Sequence, residues 1–403
     1  MGVITNYTQF GGKHSETATI TNALAALGVK APHTGKPFTE AMILGIGGGL
    51  GAGYILWEFK EHNQIIIILA FRNRWQYTQK YMDNVFARLG VRGVYKEAGG
   101  RKQAVANLRE TLDAGIPAVT WADRGHQPYY LLPQSMSGHV IQIVNVVGMD
   151  EQTAWIDDLG RQPFTMPVDL LAESRARIGS SKNRVLALHV DPSTSIDLEV
   201  AIKVGIQDCV EHLSEGSDSF SLPTFRKLGK MMVDGKNAKG WLKVFEDGGG
   251  LYGALKSMYE AICLPGNGGD GLRGMYADFL TESAGIIGNI ALNDAASAYR
   301  ALSQRWIDLG EALLPDAIAS FQRTKTLLRT NADRLTREGD AALVANREAI
   351  AELDAIGKEH KASFPLPKAD KAALLKSLSD QLLALYEEEI SALDTLKRAV
   401  GAR

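Results

Sequence analysis

The chain has 403 residues, of which 45% are hydrophobic and 22% charged, and its formal net charge is -2. This composition is that of an ordinary globular protein with room for two domains. A charge balance so close to zero gives no electrostatic argument for nucleic acid as the main partner. Cys209 and Cys263 show neither metal-ligand spacing nor a disulfide framework, so a reducing cytoplasm is the expected compartment.

The N-terminal segment lacks the apolar core that a secretory signal peptide needs. The longest apolar run, MILGIGGGLGAGYILW at residues 42–57, contains six glycines and is short for a membrane span. We interpret it as buried backbone that packs closely against its neighbours. No membrane partner is therefore expected.

The first part of the chain mixes helical and strand patterns. A helix is predicted from Ser15 to its stop signal at Gly28, and the β-branched run at 64–71 predicts a buried strand. An amphipathic helix is predicted over 101–115, followed by a strand over 116–123.

Two further strands, HVIQIVNVVGMD and TAWIDDLG, are joined by GMDEQ, which is a hairpin signal. A helix followed by antiparallel strands predicts the α+β class rather than a doubly wound sheet.

From about residue 195 the strand patterns give way to long amphipathic segments. The last of these has apolar residues at three- and four-residue steps, namely Leu375, Leu378, Leu382, Tyr386, Leu393 and Leu396. We interpret this stripe as the core of a helical bundle, and a helix that mediates homo-oligomerisation is the alternative. The predicted domains are residues 1–190 and residues 191–403.

One set of residues has the chemistry of nucleophilic catalysis. A nucleophile at the start of a helix gains from the positive dipole end, and it needs a base, a group that orients the base and an oxyanion donor. Ser15 begins the first predicted helix, His139 begins a strand and Asp158 ends the next one. Antiparallel pairing through the hairpin predicts that His139 and Asp158 are neighbours. Gln9 is the candidate oxyanion donor.

Each of these residues also has a structural interpretation. Ser15 is a common type of N-cap, with Glu16 in the first turn. His139 by itself is typical of a structural histidine. Asp158 by itself is typical of a turn, and Asp157 competes with it for the same role. The order nucleophile, histidine, acid is what favours catalysis.

That order is the order of papain-like cysteine enzymes. The stretches GGKHSETATITNALAALG, FTEAMILGIGGGLGAGYILWEF, LDAGIPAVTWAD and GHVIQIVNVVGMDEQTAWIDDLG resemble the N-terminal domain of the butirosin biosynthesis protein H family. KGWLKVF and GGDGLRGMYADFLTESA resemble the helical domain that commonly follows it. The resemblance covers about residues 8–395.

The resemblance implies a papain-like fold and the transfer of an acyl or aminoacyl group from a carrier-protein thioester to a small-molecule amine. By position, Ser15 would accept the acyl group, His139 would be the base and Asp158 the orienting acid. The residues expected to bind the oxyanion or the substrate are Gln9, His14 and Glu40. For Glu40 the suggested role is recognition of the amine.

The chain departs from this family at the reacting atom, where Ser15 replaces the usual cysteine. A thiol readily becomes a thiolate beside histidine, whereas a hydroxyl must lose its proton during attack. Three explanations stay open: a native, active serine triad; a serine engineered from cysteine; or a natural member that binds ligands without catalysis.

Three functions follow from these features. The first is an acyltransferase that forms amides or esters, the second is a papain-like amidase or peptidase, and the third is a non-catalytic binding protein. No dinucleotide fingerprint and no metal-ligand cluster occurs in the sequence, so neither a metal nor a redox cofactor is expected.

Overall fold

The computed structural model of the chain describes residues 3–59, 64–132 and 137–402. Within these ranges the strands lie before residue 191 and the rest of the chain is helical, which confirms the α+β class. None of the helices in the described ranges is long and apolar enough to cross a bilayer.

The helices and strands follow the hydrophobic patterns of the sequence. The strands are β1 (Leu50–Phe59), β2 (Gln64–Arg72), β3 (Val91–Lys96), β4 (Ala118–Asp123), β5 (Ile141–Met149), β6 (Thr153–Asp157), β7 (Phe164–Pro167) and β8 (Val185–Val190). The helices of the first half are α1 (Ser15–Ala26), α2 (Glu40–Ile46), α3 (Thr78–Leu89), α4 (Arg101–Asp113) and α5 (Val168–Arg177). The later helices are α6 (Leu198–Ser214), α7 (Pro223–Met232), α8 (Trp241–Val244), α9 (Leu251–Cys263), α10 (Arg273–Ile286), α11 (Leu292–Leu313), α12 (Ala319–Glu338), α13 (Leu343–Ala362) and α14 (Lys368–Val400).

The predicted helices and strands of the first half are confirmed, with the hairpin at GMDEQ joining β5 to β6. Gly28 and Gly115 follow α1 and α4 with positive φ angles of 75° and 72°. Glycine adopts this conformation without the steric cost of a Cβ, which is why it ends helices so often.

The chain divides into two compact units, and each is built from separate segments. The first comprises Met1–Ile43, Met82–Ala201 and Asn331–Glu348, and the second comprises Leu44–Tyr81, Ile202–Thr330 and Ala349–Arg403. The division into domains at residue 190 stays a prediction.

The first unit contains a six-stranded sheet in the order β3-β8-β4-β5-β6-β7, with every neighbouring pair antiparallel. Helix α1 lies against one face, where the Asn145 side chain of β5 donates a hydrogen bond to the Thr19 carbonyl at 2.8 Å. We call this face the α1 face.

The opposite face of the sheet is apolar and is covered by α4 and α5. Its core combines residues of both helices with inward-facing strand residues, including Leu108, Leu112, Leu171, Val144, Val146 and Ile156. We call this face the α4/α5 face. Because side chains alternate along a strand, β5 sends its odd-numbered residues from 141 to 145 to the α1 face and its even-numbered ones from 142 to 146 to the α4/α5 face.

The second unit contains the antiparallel pair β1–β2 and a group of helices. Its glycine-rich segment lies directly against aromatic rings. A Cβ built on Gly45 would lie 2.2 Å from the Phe279 ring, and one built on Gly49 would lie 2.5 Å from the Tyr276 ring. The glycines are therefore required by close packing, which confirms the interpretation of this run as buried backbone.

The leucine-rich stripe of α14 is buried at every predicted position. Its interpretation as the core of a helical bundle is confirmed, and its use in homo-oligomerisation stays a prediction. The two thiols are also shielded: burial raises the pKa of Cys209 to about 11 and that of Cys263 to about 12.

Candidate functional site

The start of α1 is held in place by the carboxylate of Glu40. It accepts the backbone N–H groups of Lys13 and His14, both at 2.9 Å, and the Thr17 hydroxyl at 2.7 Å. Burial raises the pKa of Glu40, and these hydrogen bonds offset part of that increase. Glu40 satisfies backbone donors at the helix start that have no partner within the helix. The structure thus places Glu40 as a support of the turn before Ser15.

The turn itself depends on a glycine. A Cβ built on Gly12 would lie 2.3 Å from the Ala18 Cβ and 3.0 Å from Glu40 Oε2. Real Cβ atoms do not approach other carbons so closely, because interiors are packed to contact distance. Only glycine lets this turn lie against α1 and Glu40 together.

Ser15 is the first residue of α1 and is half-buried. Its Oγ donates a hydrogen bond to the Ile143 carbonyl at 3.0 Å, and the Thr19 hydroxyl donates to the same oxygen at 3.1 Å. The N-cap of the helix is His14, so the interpretation of Ser15 as an N-cap is wrong. The serine hydroxyl instead lies between the helix start and β5.

His14 lies beside Ser15 and is buried. Its Nδ1 is 3.2 Å from the Thr17 hydroxyl and its Nε2 is 3.1 Å from Glu16 Oε2. Both ring nitrogens therefore have partners on the first turn of α1, which fixes the orientation of the ring.

Gln9 lies in the segment before α1, and its side chain contacts the helix at Asn22. Its Nε2 donates to Asn22 Oδ1 at 3.0 Å. Asn22 comes seven residues after Ser15, and at the helical rise this places it roughly 10 Å away. The structure does not bring the Gln9 amide to the Ser15 hydroxyl, and the oxyanion role of Gln9 stays a prediction.

Asp157 connects the N-terminal segment to the sheet on the α1 face. Its carboxylate accepts hydrogen bonds from the Tyr7 hydroxyl, from Asn22 Nδ2 at 2.8 Å and from the Gly11 N–H at 3.2 Å. Burial raises the pKa of Asp157 to about 6, against the effect of these donors. Asn145, directly opposite Asp157 in the β5–β6 pair, donates to the Tyr7 hydroxyl at 2.8 Å.

Asp158 lies on the α4/α5 face. Its carboxylate accepts hydrogen bonds from Gln142 Nε2 at 2.8 Å and from the Tyr129 hydroxyl at 3.1 Å. Burial raises the pKa of Asp158, and the hydrogen bond from Gln142 offsets part of that increase. Gln142 shares this face with Val144. Asp158 and Ser15 therefore lie on opposite sides of the sheet.

His139 lies in an exposed turn at residues 137–139, before the first residue of β5. The strand was expected to begin at His139, and this boundary is wrong by two residues. The β5 side chain that donates a hydrogen bond to Asp158 is that of Gln142. The structure brings Ser15, His14 and Glu40 together, whereas the catalytic roles of His139 and Asp158 stay predictions.

A second pair of a histidine and an aspartate was missed by the sequence analysis. Asp123, the last residue of β4, is fully buried, and its Oδ2 lies 2.6 Å from Nδ1 of His126. The same carboxylate accepts the N–H groups of Gly125 at 3.3 Å and Gly138 at 2.9 Å. The signal in the sequence is the segment WADRGH, where an acid at the predicted end of a strand precedes a histidine by three residues.

Within the described ranges, no group of three or more His, Cys, Asp or Glu side chains is arranged to hold a metal ion.

The comparisons with known proteins match two family models, one after the other along the chain. Residues 14–159 match the model described as butirosin biosynthesis protein H, N-terminal. Residues 169–339 match a domain of unknown function (DUF4872). The comparison with curated proteins gave no match. The first match begins at the buried histidine before Ser15 and includes Glu40, His126 and Asp158.

Proposed function

Because residues 14–159 belong to the butirosin biosynthesis protein H N-terminal family, we propose that this chain is an acyltransferase of small-molecule biosynthesis. The acyl or aminoacyl donor is a thioester, carried by a carrier protein or a smaller thiol. The acceptor is an amine or a hydroxyl group of a small molecule. A papain-like arrangement, with the nucleophile on a helix packed against an antiparallel sheet, is part of this proposal.

The observation that carries the proposal is the position of Ser15. It is the first residue of a helix whose preceding turn is fixed by Glu40. The positive end of the helix dipole favours the negative charge that develops on the carbonyl oxygen of an attacked thioester. A side chain at this position is presented to a substrate with little freedom to move, which lowers the entropic cost of the reaction.

In the proposed reaction, Ser15 Oγ attacks the thioester carbonyl while a base takes its proton. The carbon–sulfur bond breaks, the thiol leaves with a proton from the protonated base, and an ester remains on Ser15. The amine of the acceptor then attacks this ester, the base takes the amine proton, and Ser15 leaves with that proton.

The hydrogen bond from Ser15 Oγ to the Ile143 carbonyl favours a second candidate, the non-catalytic binding protein. A hydroxyl used in this way has a structural role in the resting protein. The amidase alternative uses the same nucleophile and differs only in water as the acceptor.

The test is the intact mass of the protein after incubation with a panel of acyl-thioesters, compared with Ser15→Ala and Ser15→Cys. We expect a mass gain of one acyl group that Ser15→Ala loses and Ser15→Cys keeps. The matched control is Thr19→Val, which removes the other hydroxyl bound to the Ile143 carbonyl and leaves the proposed nucleophile in place.

A mass gain seen only with Ser15→Cys would mean that the serine protein binds without transferring. Turnover of simple amides without a thioester would favour the amidase. If no variant forms an adduct and Ser15→Ala binds the acyl-thioesters as tightly as the serine protein does, the non-catalytic binding protein is the function that remains.

A further inference from the structure

The α1 face of the sheet contains a histidine–aspartate pair at the end to which the start of α1 points. We propose that His126, oriented by Asp123, is the base that serves Ser15. The inference rests on the proposed role of Ser15 as nucleophile. It replaces Asp158, which lies on the other side of the sheet, with Asp123 on the side of the serine, and it replaces His139 with the histidine that contacts Asp123.

The strand pairing places Asp123 on the α1 face. Asp123 is directly opposite Ile141 in the β4–β5 pair, and Trp121 is directly opposite Ile143. Cross-strand partners share a face, and Ile141 and Ile143 have the same parity as Asn145, which contacts α1. Asp158, bound to Gln142, belongs to the other face.

The direction of α1 brings its first residue toward this pair. Ser15 contacts β5 at Ile143, and the Thr19 carbonyl contacts it farther along at Asn145. The start of α1 therefore points along β5 toward Ile141, the residue opposite Asp123. Trp121 is the β4 residue opposite Ile143, the residue that Ser15 contacts. Asp123 lies two residues farther along β4, which is about 7 Å at the rise of a strand.

The bonding of Asp123 is that of a group that orients a base. It is fully buried and accepts three hydrogen bonds, two of them from backbone N–H groups that fix the carboxylate. A carboxylate bound at Nδ1 selects the tautomer with the proton on Nδ1, which makes Nε2 the acceptor. Asp123 is thus a positioning residue and His126 the catalytic one.

The surroundings of the pair leave a route for substrate. The His126 side chain is 24% exposed, and Ile141, which is opposite Asp123 in the β4–β5 pair, is 50% exposed. The turn that contains Gly138 is fixed from outside by Arg177, whose Nε donates to Ser137 Oγ at 3.2 Å. An open, partly apolar entrance next to an oriented imidazole is what an acyl-thioester needs.

In the reaction, the Ser15 hydroxyl leaves the Ile143 carbonyl and donates its proton to His126 Nε2 as Oγ attacks. The imidazolium, stabilised by Asp123, returns that proton to the departing thiolate sulfur. In the second half His126 takes a proton from the acceptor amine and gives it to Ser15 Oγ as the ester bond breaks. Each proton taken is returned, so the cycle needs no other reagent.

The test uses Ser15→Cys and iodoacetamide, so that it needs no acyl donor and no transfer activity. A thiol beside a histidine forms a thiolate–imidazolium pair, and it therefore reacts at a lower pH than an ordinary thiol does. We expect alkylation of the introduced thiol at pH 6 to be about tenfold faster than that of an ordinary exposed thiol, read by peptide mass. Cys209 and Cys263 should stay unmodified under these conditions, because burial raises the pKa of both.

In the Ser15→Cys background, adding His126→Asn or Asp123→Asn should remove the reactivity at pH 6. Adding His189→Asn, a histidine on β8, is the matched control and should keep it. Retained reactivity with His126→Asn, or a loss caused instead by His14→Asn or His139→Asn, would overturn the inference. An introduced thiol that shows no enhanced reactivity at all would overturn it as well.

An independent readout is the ¹⁵N spectrum of the imidazole in the unmodified serine protein. We expect His126 in the Nδ1–H tautomer, changed by Asp123→Asn while the thermal melting curve shows a folded protein. The opposite tautomer would overturn the orienting role of Asp123. Enhanced thiol reactivity through His126 without any acyl adduct on Ser15 would leave the inference standing and count against the proposed acyl transfer.

Discussion

The two faces of the six-stranded sheet use adjacent residues for different purposes. Asp157 faces α1 and connects the N-terminal segment to the sheet through Tyr7, Gly11 and Asn22. Asp158 faces the apolar core under α4 and α5 and accepts from Gln142 and Tyr129. A strand that exposes alternate residues to opposite sides separates two neighbouring carboxylates as completely as two different elements would.

The comparison shows that residues adjacent in the sequence and identical in chemical type can lie on opposite faces of the sheet. The face that contains Ser15 also contains Asp123 and His126, which are far from it in sequence. The face that contains Asp158 is closed by an apolar core. Predictions that perturb one face at a time therefore test whether the two faces have separate roles.

The largest expected loss of stability comes from Gly12→Ala, in the turn before Ser15. The added Cβ would overlap Ala18 and Glu40, and relieving the overlap must move the backbone before Ser15. We expect a loss of about 3 kcal/mol in the free energy of unfolding, measured by urea denaturation. Gly99→Ala is the matched control because nothing lies within 4 Å of its Cβ position. Equal stability of the two variants would contradict the packing of this turn.

A smaller effect is expected when one donor is removed from each face. Asn22→Leu takes a donor from buried Asp157 and another from the Gly11 carbonyl, and it should cost about 2–3 kcal/mol. Gln142→Leu takes one donor from Asp158, which keeps the tyrosine hydroxyl, and should cost about 1–2 kcal/mol.

The double variant of Asn22→Leu and Gln142→Leu measures whether the faces are coupled. Additive losses in urea denaturation would support separate roles for the two faces. A coupling energy above about 1 kcal/mol would mean that the two carboxylates act as one group.

The smallest effect is a pH dependence that comes from Asp157. Burial raises its pKa in the folded protein to about 6, so the folded state binds this proton more tightly than the unfolded state. The contribution to stability is full at low pH and is lost as the pH rises through the folded pKa. We expect wild type to lose about 1 kcal/mol more than Asp157→Asn between pH 5 and pH 6.

The control for this pH dependence is Asp150→Asn on the hairpin. Hydrogen bonds from the Thr153 and Gln152 N–H groups lower the pKa of Asp150, so its contribution is lost as the pH falls. The ordinary and the lowered pKa of this carboxyl both lie below pH 5, so wild type and Asp150→Asn should change in parallel between pH 5 and pH 6. An equal loss in wild type and Asp157→Asn over the same range would contradict the burial of Asp157.

Local patterns predicted most of the elements around the site. The helix from Ser15, the strand before Asp123 and the hairpin between β5 and β6 follow from amphipathic periodicity and turn residues, which act over a few neighbouring positions. The buried stripe of α14 was predicted for the same reason. The predicted β5 begins two residues early. The β-branched pattern of the strand extends back toward the turn at His139, and this turn is not part of the paired strand.

By itself the sequence determined the α+β class, the resemblance to the butirosin biosynthesis protein H family and the position of Ser15 at the start of a helix. Each depends on residues close together in the chain or on a motif that can be recognised as it stands. Only the tertiary structure decided which carboxylates and histidines share a face with Ser15. That choice depends on strand register, since a shift of one residue moves every side chain to the other side of the sheet.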